Sequence, residues 1–487
     1  MPSGTQMRKS KLSFPVLIFL VALVVRLIPV ILSRNLGIGL DDMFQYDMLA
    51  RSIVSGNGYR WYAQDDLYLV QQYLPFDISS VDYDPRGVLT SFRPPLYPAF
   101  LALIYSVNGV SSDRFFTARL VQAVLNALLV PMTYLAAGYV FPDRLRTSRW
   151  AAWALVFYPM MVIYPLSLAT ENLFFVLVLA SALTLFKSSQ DDRLRWFVFS
   201  GLLIGLASLT RSVILPFSAV AALWALFCLK NWKGAVALFF TAVMVVTPWV
   251  IRNSFLHGRL VGVESSLGYN LYVGYHPLST GTFQYGISLD LIPMLDDGLR
   301  DKIGTAKAME FIRSNPSRII PLAVMRAGHF FGLERRALTY FYSNNFFGYI
   351  PAPLLLTIAL LFVVPFMVIA TSSAYGLALA NWKRVEVILL GLLLATYILP
   401  HILLLAEDRF HLTLVPFLAI LAARFWDGGI QGLRTLFRTS TFGRILVASA
   451  TVVVILLLFN WSYELFRDMD KLSVLFGPDG NRSGFPY

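Results

Sequence analysis

The chain has one cysteine, Cys228, and five histidines among its 487 residues. A single cysteine excludes an intrachain disulfide framework and a cysteine-based metal centre. Charged residues are also scarce, at 14% of the chain, against roughly 25% in an ordinary globular domain. Long Gly/Ser-rich or Pro-rich linkers and obvious internal repeats are missing as well. These absences argue against an ordinary soluble enzyme and predict a single unit over residues 1–487.

Apolar residues are abundant: they make up 57% of the chain, and the mean hydropathy is +0.64. Runs of about 20 apolar residues, the length that spans a bilayer core as a helix, recur throughout the sequence. We therefore predict an all-α polytopic membrane protein with about 11 spans, in a range of about 10 to 13. The formal charge of +12 is attributed to basic cytoplasmic turns, and no nucleic-acid partner is expected.

The distribution of lysine and arginine predicts the topology. Lys9 and Lys11 place the N-terminus in the cytoplasm, and basic turns at 143–149, 187–195, 230–233, 383–384 and 424–444 all fall on that side. Residues 94–109 are expected not to cross, whereas 150–166 is expected to be one span. Long loops at 33–116 and 252–347, which carry interfacial helices, and a tail at 462–487 are then on the outer face of the cytoplasmic (inner) membrane.

Acidic residues concentrate in the first outer loop, where Asp41 and Asp42 follow closely on the first span. A carboxylate near the hydrocarbon boundary is partly desolvated, which raises its basicity and suits it to deprotonate a hydroxyl. Apolar residues at three- and four-residue spacing predict a helix from Met43 that ends at Gly56 and has these acids at its N-terminus. Glu171 is a second acid at an outer end. A capping role for each acid remains an alternative reading.

Arginines at the outer interface are not explained by the positive-inside rule. Arg93, Arg252 and Arg409 all lie there, and guanidinium groups bind phosphate oxygens bidentately. Together they are suited to a lipid-linked phosphate, although each alone is also typical of an ion pair or a headgroup contact. Arg211, in a tight outer turn, is singled out in the same way as Glu171, with an interfacial arginine as the alternative reading.

The second outer loop is rich in aromatic and amide side chains. Tyr269, Asn270 and Tyr272 are suited to sugar stacking and hydrogen bonding, and also to an interfacial aromatic belt. We predict that a helix from near Thr305 to Asn315 and a second helix over residues 318–331 cap a lipid groove beside them.

The ordered motifs resemble a known family. Asp41-Asp42 with Tyr46 and Tyr59, then Arg93-Pro94-Pro95-Leu96-Tyr97-Pro98, then Thr170-Glu171, then Pro248-Trp249-Val250-Ile251-Arg252, then Asp408-Arg409-Phe410 look like bacterial PMT-like (family 39-type) glycosyltransferases of the GT-C superfold. Protein O-mannosyltransferases and the lipid A aminoarabinose transferase belong to this wider group. The resemblance covers roughly residues 12–425. The pair Asp41-Asp42 departs from the Asp-Glu of many relatives.

The resemblance implies an inverting membrane glycosyltransferase that takes a sugar from a polyprenyl-phosphate donor at the outer face. By position, Asp41 would be the base, with Asp42 beside it and Glu171 near the acceptor. Arg93 and Arg252 would lie near the donor phosphate, and Arg409 is grouped with them. Tyr46, Tyr59 and Tyr97, within the motifs, are further candidates for sugar or acceptor binding.

The sequence leaves the acceptor, the need for a cofactor and the function class open. The acceptor is a glycan, a lipid or a protein, and the donor and membrane lipids are the other expected partners. No cofactor is required by this chemistry, although a divalent ion at Asp41 and Asp42 is an alternative. A polysaccharide ligase or polymerase with a diphosphate-linked donor is the second function class, and it would rely on arginines without an essential Asp41. A transporter is third, and charge-poor mid-span segments argue against it.

Overall fold

The computed structural model describes residues 13–111 and 113–484, so the segment with Lys9 and Lys11 and the end of the tail lie outside the described residues. The described chain is almost entirely helical, with one antiparallel pair of short strands, β1 (Arg60–Trp61) and β2 (Val88–Leu89). The α-helices are α1 (Phe14–Leu32), α2 (Asp42–Val54), α3 (Gln64–Gln71), α4 (Leu96–Asn108), α5 (Arg114–Val140), α6 (Leu145–Val156), α7 (Pro159–Ile163), α8 (Glu171–Ser188), α9 (Leu194–Ser208), α10 (Leu215–Phe227), α11 (Trp232–His257), α12 (Leu267–Tyr275), α13 (Tyr285–Ser288), α14 (Asp297–Ser314), α15 (Ile319–Phe330), α16 (Arg336–Ser343), α17 (Ala352–Ala378), α18 (Val385–Leu403), α19 (Val415–Thr439), α20 (Thr441–Arg467) and α21 (Met469–Leu475).

Eight of the described helices have the length and apolar composition needed to cross a membrane. They are α1, α5, α8, α11, α17, α18, α19 with the helical turn before it, and α20. Two shorter apolar helices, α9 and α10, lie among the basic turns and are further candidates for crossings. The all-α polytopic architecture is thus confirmed, while the number of crossings stays a prediction.

The segment predicted as one span over 150–166 is not one helix. α6 ends at Val156 and α7 begins at Pro159, with Tyr158 extended between them at φ −68° and ψ 112°. A residue that precedes proline is pushed out of the helical region, so the chain breaks at this point. The expectation of one unbroken helix over this segment was therefore wrong, whereas its crossing of the membrane stays a prediction.

The predicted basic loop at 424–444 is also helical. α19 continues through it to Thr439 and α20 starts at Thr441. Gly429 takes φ 59° and ψ −172° inside α19, a conformation that glycine adopts without steric cost. The chain therefore bends at Gly429, and the arginines, which are good helix formers, remain in helical segments on either side.

The basic turns meet at one end of the helix bundle. Arg144, between α5 and α6, donates to Asp427 of α19 at 2.9 Å. The Ser189 hydroxyl, after α8, donates to Glu386 of α18 at 2.9 Å. α8 runs from this end to Glu171 at the other, and its 18 residues correspond to about 27 Å. The predicted site acids and the basic turns therefore occupy opposite ends of the bundle.

Small residues allow the helices of the bundle to pack closely. A Cβ atom on Gly201 of α9 would lie 2.3 Å from the carbonyl oxygen of Leu238 in α11, and one on Gly205 would lie 2.6 Å from Val245 Cβ. Only glycine fits at such contacts, as in other membrane helix pairs with small residues four apart. This packing fixes the position of Arg211, which follows the end of α9.

The two outer regions, which contain α2 to α4 and α12 to α16, form one packed layer. Asp297 at the start of α14 accepts hydrogen bonds from Thr90 Oγ1 at 2.8 Å, Ser91 N at 2.6 Å and Ser265 Oγ at 3.0 Å. An aromatic cluster between the regions contains Trp61, Tyr62, Phe92 and Tyr269. The two outer loops, which the sequence predicts as separate regions, therefore pack into a single layer at one end of the bundle. We call the part of this layer that covers the cavity described below its roof.

Both helices predicted near the end of the second outer loop are present in the structure, one with nearly its predicted bounds and one with an earlier start. The helix predicted over 318–331 is α15, Ile319–Phe330. The helix expected from near Thr305 begins at Asp297 instead, two turns earlier, because Asp296 caps it by accepting from Leu299 N at 2.9 Å. Asp296 is a good N-cap residue, so its position was the missed signal.

Candidate active site

A cavity of about 1310 Å³ lies under the outer layer, at the end of the bundle opposite the basic turns. Its floor comes from the ends of the bundle helices and its roof from α2, α12 and α14. Many of its lining side chains are apolar, and a charged group lies among them. The predicted site residues that line it are Asp41, Asp42, Tyr46, Arg93, Glu171, Tyr269, Asn270 and Arg409.

Asp41 and Asp42 are placed by the start of α2. Asp41 is the N-cap residue, and its Oδ1 accepts from Met43 N at 2.8 Å. The preceding segment is held by buried Arg119 of α5, which donates to the carbonyl oxygens of Leu36 at 2.5 Å and Gly37 at 2.8 Å. The predicted helix with acids at its N-terminus is thus confirmed, and Arg119 fixes where that helix begins.

Asp42 is held between two arginines. Arg93 Nη2 donates to Asp42 Oδ1, and Arg409 Nη2 donates to Oδ2 at 3.2 Å. Burial favours the neutral carboxyl, but the positive charges of Arg93 and Arg409 outweigh it and hold the pKa of Asp42 well below its ordinary value. Asp42 is therefore a fixed anion that aligns both guanidinium groups beside the cavity.

Asp41 has the opposite environment. Among the residues that the structure describes it forms no ion pair, and it lies beside the charged Asp42. Burial and the negative charge of Asp42 raise the pKa of the Asp41 carboxyl above its ordinary value. Of the two adjacent acids, Asp41 is the one whose basicity is increased and whose carboxylate is not neutralised by arginine.

Glu171 is the first residue of α8 and is almost fully buried. Arg211 Nη1 donates to Glu171 Oε1 at 2.6 Å, and Thr170 Oγ1 donates to Oε2 at 3.0 Å. The Arg211 guanidinium also lies over the Phe410 ring, at 5.0 Å from its centroid. Arg211, which the sequence left open between a site residue and an interfacial arginine, therefore belongs to the charged group of the cavity.

Arg409 belongs to a further network that the sequence did not reveal. Its Nε donates to Glu407 Oε2 at 2.9 Å. The same oxygen lies 2.9 Å from Arg336 Nη2, and Arg336 Nε donates to Asp408 Oδ1 at 3.2 Å. Arg336 follows Arg335 in the second outer loop. Two consecutive arginines on the outer side are the sequence feature from which this network could have been predicted. The cavity thus has a row of guanidinium groups whose positions are fixed by carboxylates.

Two of the predicted sugar-binding residues face the cavity from the roof, Tyr269 and Asn270 of α12. Tyr46 lines it beside the Arg93 guanidinium, which lies 5.4 Å from its ring centroid. Burial raises the pKa of Tyr46 to about 12, so its hydroxyl keeps its proton near neutral pH. These three are placed to donate or accept hydrogen bonds to a ligand.

Three predicted tyrosines do not line the cavity. Tyr59 donates to the carbonyl oxygens of Arg93 at 2.9 Å and Pro94 at 3.0 Å, and so supports Arg93 from behind. Tyr97 donates to Gln122 at 2.5 Å. Tyr272 donates to Asp290 at 2.6 Å. Their hydroxyls therefore serve internal hydrogen bonds, Tyr97 from α4, Tyr272 from α12 and Tyr59 from the loop before β1.

Arg252 is likewise outside the cavity lining. It donates to the Thr90 carbonyl at 2.6 Å and lies over the Trp249 ring, at 4.8 Å from its centroid. The guanidinium therefore ties the end of α11 to the segment before Arg93, a position beside the site and not in it.

A divalent ion does not fit at Asp42, because both carboxylate oxygens already bind guanidinium groups that a cation would have to displace. A different group brings ligand atoms within 4.8 Å of one another, namely His257, Asp296 and Asp297. Those side chains are engaged in the outer layer, where Asp297 binds Thr90, Ser91 and Ser265. The geometry at the acids thus indicates arginine chemistry, while the His257 group is the described place where a cation could be held.

Comparison with known proteins gives a family match. Residues 92–251 match the family model described as dolichyl-phosphate-mannose-protein mannosyltransferase. No curated protein matches the chain. The matched segment contains Arg93, Glu171 and Arg211, whereas Asp41, Asp42 and Arg409 lie outside it.

Solved structures with a similar arrangement are distant in sequence. The oligosaccharyltransferase of Archaeoglobus fulgidus, in the apo form, has 16% identity and a TM-score of 0.48, and the alignment covers 98% of this chain and 60% of that one. The chain thus spans about 60% of the length of that protein. ArnT from Cupriavidus metallidurans, bound to undecaprenyl phosphate, has 16% identity, a TM-score of 0.38 and coverages of 88% and 80%. The family-model match confirms the resemblance that the ordered motifs indicate, and the chain contains a PMT-like segment over residues 92–251.

Proposed function

We propose that this chain is an inverting glycosyltransferase that moves a sugar from a polyprenyl-phosphate donor to an acceptor hydroxyl. The observation that carries the proposal is the contrast between two adjacent acids in one cavity. Asp42 is neutralised by Arg93 and Arg409, whereas Asp41 has no ion pair among the described residues. The family model that matches residues 92–251 is named for a dolichyl-phosphate-linked sugar donor, which supports this donor class.

The reaction follows from the charges. Asp41 accepts the proton of the acceptor hydroxyl, and the acceptor oxygen forms a bond to the anomeric carbon of the donor sugar. The bond from that carbon to the phosphate oxygen breaks on the opposite face, and polyprenyl phosphate leaves with the electron pair. One displacement inverts the anomeric configuration. The base is near the nucleophile and the cations are near the leaving group, as such a displacement requires.

The departing phosphate gains negative charge, and the row of arginines stabilises it. Arg93 and Arg409 are held at Asp42, Arg211 at Glu171 and Arg336 at Glu407. Guanidinium groups that are already fixed in place need little reorganisation when charge develops. The same arginines supply the cationic role that a metal plays in other transferases, so no step of this mechanism passes through a metal.

The remaining lining is suited to the lipid and to the sugar. Apolar side chains on the floor and walls, among them Met160, Ile163, Leu166 and Leu215, can bury prenyl groups. Tyr269 and Asn270 in the roof present polar atoms to a sugar. Because the site lies opposite the basic turns, we place the reaction at the outer face of the cytoplasmic membrane.

The test is transfer of radiolabelled sugar from a panel of polyprenyl-phosphate sugars, in membranes with wild type, Asp41→Asn or Asp82→Asn. Asp82 is an exposed acid of the same outer region, so its variant is the matched control. Loss of transfer in Asp41→Asn alone, at equal protein level, supports the proposal. Normal transfer by Asp41→Asn contradicts it and favours a ligase with a diphosphate-linked donor.

A further inference from the structure

Arg300 of α14 is a second cationic feature of the cavity, and in the part of the chain that the structure describes it has no ionic partner. The side chain lines the cavity, yet the residue is only 3% exposed. Among the residues that the structure describes, its Nε and Nη2 have no hydrogen-bond partner, and its Nη1 reaches only the Ile292 carbonyl, at 3.5 Å. A buried guanidinium with unsatisfied donors destabilises a fold. Its presence therefore calls for a partner that residues 13–111 and 113–484 do not provide.

The neighbouring groups do not neutralise Arg300. Asp297, one turn earlier on α14, directs its Oδ2 to Thr90, Ser91 and Ser265. The guanidinium instead lies over the Phe92 ring, at 4.2 Å from its centroid. Burial lowers the pKa of Arg300, and the charge of Asp297 offsets only part of that effect. Arg300 thus differs from Arg93, Arg211, Arg336 and Arg409, each of which has a carboxylate partner.

The two unsatisfied nitrogens define the ligand chemistry. Nε and Nη2 lie on the same edge of a guanidinium group, and their two N–H bonds point in parallel. That edge matches the two oxygens of a carboxylate or the oxygens of a phosphate. Two vicinal hydroxyls of a neutral sugar can accept from the same edge, but they leave the buried positive charge without a counter-ion, so an oxyanion is the better match.

Arg300 also adjoins the site of the proposed reaction. Phe92 contacts both guanidinium groups, with Arg300 Cζ at 4.2 Å and Arg93 Cζ at 5.1 Å from its ring centroid. Tyr62, which lines the same part of the cavity, has φ 52°. This left-handed conformation is costly for a tyrosine, and such residues concentrate at ligand sites. The Phe92 ring therefore contacts both the Arg300 guanidinium and the guanidinium of Arg93, which pairs with Asp42.

We propose that Arg300 is a specificity residue that binds a carboxylate or phosphate on a sugar held in the cavity. The inference rests on the proposed function for the identity of the ligand as a substrate, but the anion site itself does not. The charged sugar is either the one transferred or the acceptor. In both cases the negative group is bound at Arg300, beside the Phe92 ring that Arg93 also contacts.

The first experiment measures thermal unfolding of the purified protein in detergent, for wild type, Arg300→Met and Arg313→Met. Arg313 is an exposed arginine on the same helix and is the matched control. Removal of an uncompensated buried charge should raise the midpoint by about 2 °C or more. Phosphate, and glucuronate against glucose at equal ionic strength, should raise the midpoint of wild type and Arg313→Met more than that of Arg300→Met. A lower midpoint for Arg300→Met with an unchanged anion response would identify a structural arginine and overturn the proposal.

The second experiment finds the source of the anion by transfer assays with neutral and acidic substrates. With an acidic donor sugar or an acidic acceptor, Arg300→Met should lower kcat/KM at least tenfold, with little change for the neutral counterpart. If the loss occurs with the acidic donor, the transferred sugar bears the charge, and if it occurs with the acidic acceptor, the acceptor bears it. Equal losses with neutral and acidic substrates in both assays contradict the proposal. Absence of transfer by the wild type would count against the proposed function, and the anion response in the unfolding assay would still decide the role of Arg300.

Discussion

Arg409 donates to Asp42 at 3.2 Å, although 367 residues separate them along the chain. This contact joins the N-terminus of α2 to the segment before α19, and Arg93 binds the other oxygen of the same carboxylate. One aspartate thus positions two cations from distant parts of the sequence, and its neighbour Asp41 has no ion pair among the described residues. The relationship assigns different tasks to two residues that look equivalent in the sequence.

The Asp42–Arg409 pair should behave as a unit. Asp42→Asn and Arg409→Gln should each lower kcat/KM, and the double variant should lose less than the product of the two effects. Residues in one ion-pair network show coupling energies of about 0.5–3 kcal/mol. A double-mutant cycle on transfer kinetics measures this coupling. Strictly multiplicative effects would show that the contact does not matter for transfer.

The pH dependence should report Asp41. A base acts in its ionised form, so kcat/KM should fall with decreasing pH through the pKa of Asp41, which burial and Asp42 raise. Asp42→Asn removes the neighbouring charge and leaves Arg409 free to act on Asp41, and both changes lower that pKa. The acid limb of the profile should therefore move to lower pH in Asp42→Asn, although the maximal rate is smaller.

Stability should respond to the same two acids with opposite signs. The raised pKa of Asp41 means that its contribution to stability is lost as pH rises through that pKa. The lowered pKa of Asp42 means that its contribution is present above the ordinary aspartate range and is lost as pH falls below it. The contributions of Asp41 and Asp42 are separated by measuring the unfolding midpoint of Asp41→Asn and of Asp42→Asn as a function of pH. Compared with wild type, Asp41→Asn should be the more stable near neutral pH and Asp42→Asn the less stable.

Local patterns were sufficient to predict the bundle, α2 and α15, since apolar runs and helix-end signals depend on neighbours in sequence. The break at Tyr158-Pro159 was also readable, because proline restricts the residue before it. The bend at Gly429 was not readable in this way, because nothing local distinguishes it from a glycine at a helix end.

The site was predicted only in part. Asp41, Asp42, Arg93, Glu171 and Arg409 share the cavity, while Arg252, Tyr59, Tyr97 and Tyr272 support its walls. Which face of a helix points to the cavity depends on how the outer layer packs on the bundle, and a single sequence does not contain that information. Arg336 was missed and Arg211 was left open for the same reason, since an arginine at an interface looks alike whether or not a distant carboxylate meets it.

Glu171 should be needed for stability as well as for transfer. Its removal leaves Arg211 buried without a carboxylate, and loss of one partner from a buried pair costs about 3–5 kcal/mol. Glu171→Gln should therefore lower the unfolding midpoint, and adding Arg211→Met should restore part of it. If Glu171→Gln abolished transfer with an unchanged midpoint, Glu171 would be a catalytic acid and not mainly the partner of Arg211.

Chelation should separate a structural cation from a catalytic one. The proposed chemistry at Asp41 and Asp42 uses arginines, so EDTA should leave the rate of transfer unchanged in a brief assay. A cation at His257, Asp296 and Asp297 would act on the outer layer, and its removal should lower the unfolding midpoint. Rapid loss of activity that Mg²⁺, Mn²⁺ or Zn²⁺ restores, with the midpoint unchanged, would instead place a cation in the reaction.

The roof of the cavity offers a test between neighbours on one helix. Asn270 lines the cavity and Tyr272 does not, although both lie on α12. Asn270→Ala should raise KM for the donor or the acceptor, because a hydrogen-bond partner of the sugar is lost. Tyr272→Phe removes the bond to Asp290 and should cost about 0.5–1.5 kcal/mol of stability with KM unchanged. Steady-state kinetics and unfolding midpoints of both variants show which of the two residues contacts the substrate. A change of KM in Tyr272→Phe but not in Asn270→Ala would mean that α12 presents its other face to the substrate.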